Sequence, residues 1–225
     1  MEMAHSSLPN IIVSDVMMPQ MDGIELCQTL KNDSLTNHIP IVLLTAKSAV
    51  EDELEGLKTG ADAYVTKPFK LDILRAQLLN INLQRERMKQ RFRQEVILQP
   101  EEVTVTSADE EFLKKAMSII EEHMSDSEFN VEALVREMYI SRSKLYLKLK
   151  ALTGQSSSEF IRTVRLKRAI QLLEKSDYTI KEIMYMTGFN TASYFSKCFK
   201  KQFGIVPSEY LKKKKQGSEE VVDVG

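Results

Sequence analysis

The second half of the chain contains an internal echo fifty residues apart, and no other feature restricts its fold as strongly. Ser143-Lys144-Leu145-Tyr146-Leu147-Lys148-Leu149-Lys150, followed by Gly154 and Ser158-Glu159-Phe160, is answered by Ser193-Tyr194-Phe195-Ser196-Lys197-Cys198-Phe199-Lys200, followed by Gly204 and Ser208-Glu209-Tyr210. This half of the chain is therefore two copies of one basic helical unit.

Each copy reads as helix, break, helix. A short apolar helix carrying Val131, Leu134, Val135 and Met138 precedes Tyr139-Ile140-Ser141; Ile180, Ile183 and Met184 precede Gly188-Phe189-Asn190. Ser141 and Asn190 suit helix N-caps, because their side-chain oxygens accept from first-turn amides that lack a helical partner. On the first long helix Leu145, Leu149 and Leu152 recur at i, i+4, i+7, which leaves Ser143, Tyr146, Leu147 and Lys150 on the opposite face. The second repeats the arrangement, with Phe195 and Phe199 inward and Ser193, Lys197 and Lys200 outward. Two basic reading units in tandem suit a periodic ligand, and duplex DNA is one.

Residues 109–215 resemble an AraC/XylS-type DNA-binding domain. The resemblance rests on Lys167-Arg168-Ala169-Ile170-Gln171-Leu172-Leu173, Ile180-Lys181-Glu182-Ile183, Gly188-Phe189, Tyr194-Phe195, Phe199-Lys200 and the Gly204, Pro207, Ser208, Tyr210 spacing. It implies two recognition helices entering successive major grooves on one face of double-stranded DNA, joined by a long helix over about 157–175. Ser143, Tyr146, Leu147, Ala192, Ser193 and Lys197 fall at the family's base-facing positions; Arg142, Lys144, Lys148, Lys200 and Lys201 flank them as phosphate contacts. Two positions depart from the pattern. Ser157 replaces a frequent Pro, with Ser156 and Glu159 still supplying a capping box. Leu147 replaces a polar reader and is suited to a thymine methyl.

Charge separates the two halves. Residues 109–215 hold 20 Lys and Arg against 14 Asp and Glu, a balance of +6; residues 1–79 hold 6 against 11, a balance of −5. The net charge of −1 conceals this division. The length fits two small domains, and no apolar run approaches the ~18 residues a bilayer span needs. Cys27 and Cys198 have no metal-ligand spacing and His5, His38 and His123 are scattered, so a reduced, cytoplasmic setting is expected and no enzymatic centre is assigned.

The acidic half shows short apolar runs ending in chemistry-bearing residues: residues 10–15 end at Asp15, residues 39–45 at Thr45, and Ala63-Tyr64-Val65-Thr66 leads into Lys67-Pro68. These read as buried parallel strands with function at their C-terminal ends. Helical segments alternate with them at about 22–31, 51–58 and from Leu71 onward. With Ser14-Asp15-Val16-Met17-Met18-Pro19 and Met21-Asp22-Gly23, this half resembles a response-regulator receiver domain. By that resemblance Asp15 is the phosphate acceptor, Thr45 the hydroxyl that moves toward the phosphoryl group, Tyr64 the switching aromatic and Lys67 the ion-pair partner. The Asp15 carboxylate and the Met17 carbonyl are the metal ligands, and the Lys67–Pro68 bond is cis. A carboxylate nucleophile attacks phosphorus while Mg²⁺ and lysine offset charge on the transferring oxygens.

The expected fold class is multidomain: a partial α/β flavodoxin-like receiver lacking its first two βα units, followed by an all-α domain with two helix-turn-helix motifs. The expected divisions are a truncated receiver at 1–79, a helical linker at 80–108, the DNA-binding domain at 109–215 and a disordered tail at 216–225. Without the first two βα units the acidic pair that completes the Mg²⁺ site falls outside the chain. Phosphorylation is then expected to be poor or absent, and the Asp15 strand becomes an open edge. Leu71, Leu74, Leu78, Ile81, Met88 and Phe92 follow an approximate heptad interrupted by Arg85, fitting either a half-packed receiver helix or a dimer seam. The whole resembles the output part of a hybrid two-component regulator, whose histidine kinase domain shares the parent polypeptide. The expected function is sequence-specific transcription regulation. The alternatives are a phosphoryl-accepting domain still active at Asp15, and a non-DNA fragment pairing with an intact regulator. A homodimer through the linker helix or the receiver edge is a further expectation.

Overall fold

The computed structural model describes residues 9–33, 35–46, 60–94 and 107–219. The chain divides into two compact units, one of residues 1–89 with 104–111, the other of residues 90–103 with 112–225.

In the first unit β1 (Ile12–Asp15), β2 (Ile41–Thr45) and β3 (Ala63–Thr66) form a parallel sheet in the order β1-β2-β3. Asp15 pairs in register with Leu44, and Thr45 with Thr66, so all three strands finish at one edge. The central strand is the buried apolar run expected of a parallel sheet, with Ile41, Val42 and Leu43 fully buried. β1 departs from that expectation: Val13 is 40% exposed, because among the described strands β1 has a neighbour on one side only. Helix α1 (Gly23–Asn32) starts where the Asp22 carboxylate accepts from the Glu25 amide at 2.7 Å, and it lays Cys27 and Leu30 on Ile41 and Leu43. Gly23 is required by close approach, since a Cβ there would sit 2.2 Å from the Asp15 carbonyl oxygen. The helix expected near 51–58 lies outside the described residues. The Lys67–Pro68 bond is cis, as expected. Helix α2 (Leu71–Gln94) follows.

The regular elements of the second unit are all helices over its described residues: α3 (Ser107–Glu122) from Phe112 onward, α4 (Val131–Met138), α5 (Arg142–Thr153), α6 (Ser157–Lys175), α7 (Ile180–Met186), α8 (Ala192–Phe203) and α9 (Pro207–Glu219). The long helix occupies the expected span and opens with the expected capping box between Ser156 and Glu159. It is buried on nearly every side because it serves two cores. Phe160, Ile161 and Val164 join Leu134, Met138, Leu145 and Leu149 in one; Leu166, Ala169, Ile170 and Leu173 join Ile183, Phe195 and Phe199 in the other.

Each core therefore holds one helix-turn-helix. Ser141 caps α5 as expected, accepting from the Lys144 amide at 3.2 Å. Asn190 does not cap α8; Thr191, fifty residues after Ser141 and so in register with the repeat, occupies that position without a side-chain cap bond. Helix α9 continues through Glu219, four residues into the segment expected to be disordered. Pro207 opens it with a preset φ, and the Lys, Gln and Glu that follow are good helix formers.

One buried contact was not anticipated. Phe92, expected in the linker, is 1% exposed within the second unit and stacks on Phe160 with ring centroids 5.6 Å apart. The buried Lys167 ammonium donates to the Phe92 carbonyl at 2.6 Å and lies 5.1 Å from the Phe92 ring centroid. A lysine here offsets the partial negative charge at the C-terminal end of α2.

Tyr210 closes the second core, edge-on to Phe199, and its hydroxyl donates to the Glu174 carboxylate. Burial, with the Glu174 hydrogen bond and charge, pushes its pKa up to about 12 from 10.0. The folded state thus favours the neutral phenol. This contribution to stability is complete below about pH 10 and is lost as pH rises to about 12. A pH series of urea midpoints is expected to show that loss, and Tyr210→Phe to remove it.

Candidate functional site

The reading faces are built by the same periodicity that builds the cores. On α5, Leu145 and Leu149 are fully buried, which turns Ser143 and Tyr146 outward and leaves Leu147 half-buried. Arg142 is exposed and its guanidinium meets the Glu132 carboxylate at 2.6 Å, so a DNA phosphate would exchange one anion for another there. Lys144 is half-buried. On α8, Phe195 and Phe199 point inward while Ala192, Ser193, Lys197, Lys200 and Lys201 are all exposed.

Lys148 is the exception among the expected phosphate contacts. It is 2% exposed, with its ammonium 5.3 Å from the Phe112 ring centroid. Position 148 stands three residues after Leu145 and four before Leu152, on the inward stripe of α5, and a cation–π contact accommodates its charge there. Lys148 is therefore a core residue.

Two residues missed by the sequence reading join this surface. Tyr194 is 50% exposed, and its hydroxyl accepts from Arg162 at 3.5 Å, a long bond. Tyr194 lies within the Tyr-Phe signature, but Arg162 belongs to the connecting helix, whose sequence gives no sign of an outward cation.

In the first unit the C-terminal edge of the sheet gathers the expected receiver residues. Asp15 ends β1, Thr45 ends β2 and is buried, and Lys67 follows β3 with its ammonium on the Asp15 carboxylate. The Lys67 amide donates to the Thr45 carbonyl at 2.6 Å, tying the lysine to the strand end. Met17, 79% exposed, donates its amide to Asp15 Oδ1 at 3.3 Å. The Lys67 hydrogen bond, opposed by burial and assisted by the Met17 amide, holds the Asp15 carboxyl below its ordinary value. It is an ionised, partly exposed carboxylate with a cation in place. Tyr64 is half-buried on β3, packed against the Cys27 and Leu30 core.

Among the described residues the donor set does not fit Mg²⁺. No group of three or more His, Cys, Asp or Glu converges among those residues, and the Asp15 carboxylate is already engaged by Lys67. Asp15 and the Met17 carbonyl alone fall well short of the roughly six oxygens of an octahedral site.

Comparison with known proteins bears on both units. The response regulator receiver domain family matches residues 1–79, and a helix-turn-helix domain family matches residues 134–213. The chain is a receiver domain joined to an AraC-type helix-turn-helix domain. It is similar to histidine kinase P4 of Formosa agariphila, 45% identical over 210 residues, which is 93% of this chain and 15% of that protein. It is also similar to response regulator PleD of Caulobacter vibrioides, 52% identical over 66 residues, covering 29% of this chain and 14% of that protein. The chain thus spans about a seventh of the length of these relatives. Among solved structures, the C-terminal domain of AraT, a response regulator from Geobacillus stearothermophilus, is 28% identical with a TM-score of 0.42, covering 45% of this chain and 84% of that one. A receiver followed by an AraC-type reader is the pairing found in two-component transcription regulators. No helix among the described residues is long and apolar enough to cross a membrane.

Proposed function

We propose that the chain is the output part of a two-component phosphorelay, a cytoplasmic regulator that binds specific sequences in double-stranded DNA through α5 and α8. The observation that carries this reading is the repeated outward face, Ser143, Tyr146 and Leu147 on one helix and Ala192, Ser193 and Lys197 on the other. Each is presented by a buried aromatic or leucine stripe in its own helix-turn-helix. Arg142, Lys144, Lys200 and Lys201 hold the phosphates, and Arg162 extends that set. The reader then comprises residues 109–215 together with Phe92.

On this reading Asp15 is the phosphate acceptor in the parent polypeptide, served by its histidine kinase domain. Thr45, Tyr64 and Lys67 respond to the modification. The Asp15–Lys67 pair supports the assignment, and Mg²⁺ in the parent would need oxygen donors beyond Asp15 and Met17. The chain performs no catalysis of its own. A second copy would meet it through the exposed part of α2 or the β1 edge.

Titration of a duplex selected from a random-sequence pool, read by fluorescence anisotropy at several salt concentrations, tests the DNA reading. Affinity is expected to fall steeply as salt rises, because phosphate neutralisation releases condensed counterions. Affinity indifferent to salt would contradict it. Within the same assay Lys197→Ala is expected to cost about 1–3 kcal/mol on the selected duplex and relax preference at one base pair. Lys201→Ala should weaken all sequences alike. Equal behaviour of the two variants would remove Lys197 from the base readers.

A further inference from the structure

Between Val164, which belongs to the first core, and Leu166, which belongs to the second, stands Arg165. It is 8% exposed. Its guanidinium donates in two directions: to the carbonyl of Asp126, in the turn leading to α4, and at 3.4 Å to the carbonyl of Gly188, in the turn between α7 and α8. One side chain therefore holds main-chain atoms of both helix-turn-helix units. Burial lowers the Arg165 pKa and the Asp126 charge opposes that, so the group is a costly one to keep inside.

Gly188 shows how closely the two turns approach. Its φ is +72°, and a Cβ added there would lie 2.7 Å from the Met124 carbonyl oxygen and 2.8 Å from Arg165 Cζ. A side chain at this position would be strained in its own backbone and would push the turn of the second unit off the turn of the first. The guanidinium and the bare glycine thus act on one junction, beside a cleft of about 330 Å³ lined by residues of both units, among them Phe129, Asn130, Asn190 and Tyr194.

We propose that Arg165, seated against Gly188, is a positioning residue that locks the two helix-turn-helix units at one separation and thereby sets the half-site spacing the chain reads. The inference rests on the reading of α5 and α8 as DNA readers. A locked pair gains from the second half-site as a preorganised bidentate ligand does, since engagement of the first places the second at high effective concentration. An unlocked pair loses that gain while each unit keeps its own reading face.

The test uses the full chain and three duplexes: one selected by the wild-type chain from a random pool, and two derivatives with one or the other half-site scrambled. Arg165→Met and Gly188→Ala are expected to lose about tenfold or more in affinity on the intact duplex. On each single half-site they should stay within about twofold of wild type, and Arg165→Lys, which reaches one carbonyl but not both, should fall between. Spin labels on Arg136→Cys in α4 and Lys181→Cys in α7, both exposed, report the lock without DNA while the native Cys27 and Cys198 remain buried. Their distance distribution should be narrow in wild type and broad in Arg165→Met. Unchanged bipartite affinity with an unchanged distribution would overturn the proposal. So would an equal loss on single half-sites, which would place Arg165 in the folding of one unit. Failure of the wild-type chain to select any duplex would count against DNA reading itself, and the spin-label comparison would still decide the lock.

Discussion

Inserting half a helical turn, about 5 base pairs, between the two half-sites of a selected duplex is expected to reduce binding to the non-specific level, a loss of about a thousandfold. The expectation follows from α6. Its first half is buried in the core that carries α5 and its second half in the core that carries α8, with no break across its 19 residues. A continuous buried helix, with Arg165 at its middle holding main-chain atoms of both units, cannot twist by half a turn to follow a half-site carried round to the opposite face of the duplex. Half-sites about one turn, ~34 Å, apart on one face are the geometry such a spine serves. Competition titration against the unspaced duplex measures the effect. Full affinity on the spaced duplex would mean that one unit dominates and the other assists from neighbouring phosphates.

Much of this architecture was legible in the sequence because periodicity and caps act locally. Leu145, Leu149, Phe195 and Phe199 marked the inward stripes, Ser141 and the Ser156–Glu159 box marked helix starts, and Asp15, Thr45 and Lys67 marked the ends of successive strands. What was not legible depends on partners distant in the chain. Lys148 reads as a surface cation until Phe112, thirty-six residues earlier, is seen beneath its ammonium. Arg165 reads as one more charge in a basic helix; its role depends on carbonyls at Asp126 and Gly188, which carry no side-chain signal at all. Lys167 fits the family signature, yet nothing in that signature says that its ammonium ends on the carbonyl of Phe92. The cap of α8 was legible after all: Asn190 and Thr191 are both good caps, but the fifty-residue register pairs Ser141 with Thr191.

Phe92→Ala is expected to destabilise the second unit by about 3–5 kcal/mol, the usual range for removing a buried phenylalanine. The ring is 1% exposed and stacked on Phe160, so truncation leaves a cavity beside a residue of the spine helix. It also removes the aromatic face under the Lys167 ammonium, while the main-chain carbonyl that accepts from Lys167 stays in place. Against a total stability of roughly 5–15 kcal/mol for a domain, such a loss is severe. Urea unfolding followed by tyrosine fluorescence isolates the unit, because six of the seven tyrosines, all but Tyr64, lie within it. The same contact bears on where the reader begins. A chain cut to 109–215 lacks Phe92 and exposes the Phe160 face that the ring covers, so it should be about as destabilised as Phe92→Ala. A chain that starts before residue 90 should recover wild-type stability. A change below about 1 kcal/mol in Phe92→Ala would show that the ring rests on the core without completing it. The expected larger loss would make the end of α2 a structural part of the DNA reader.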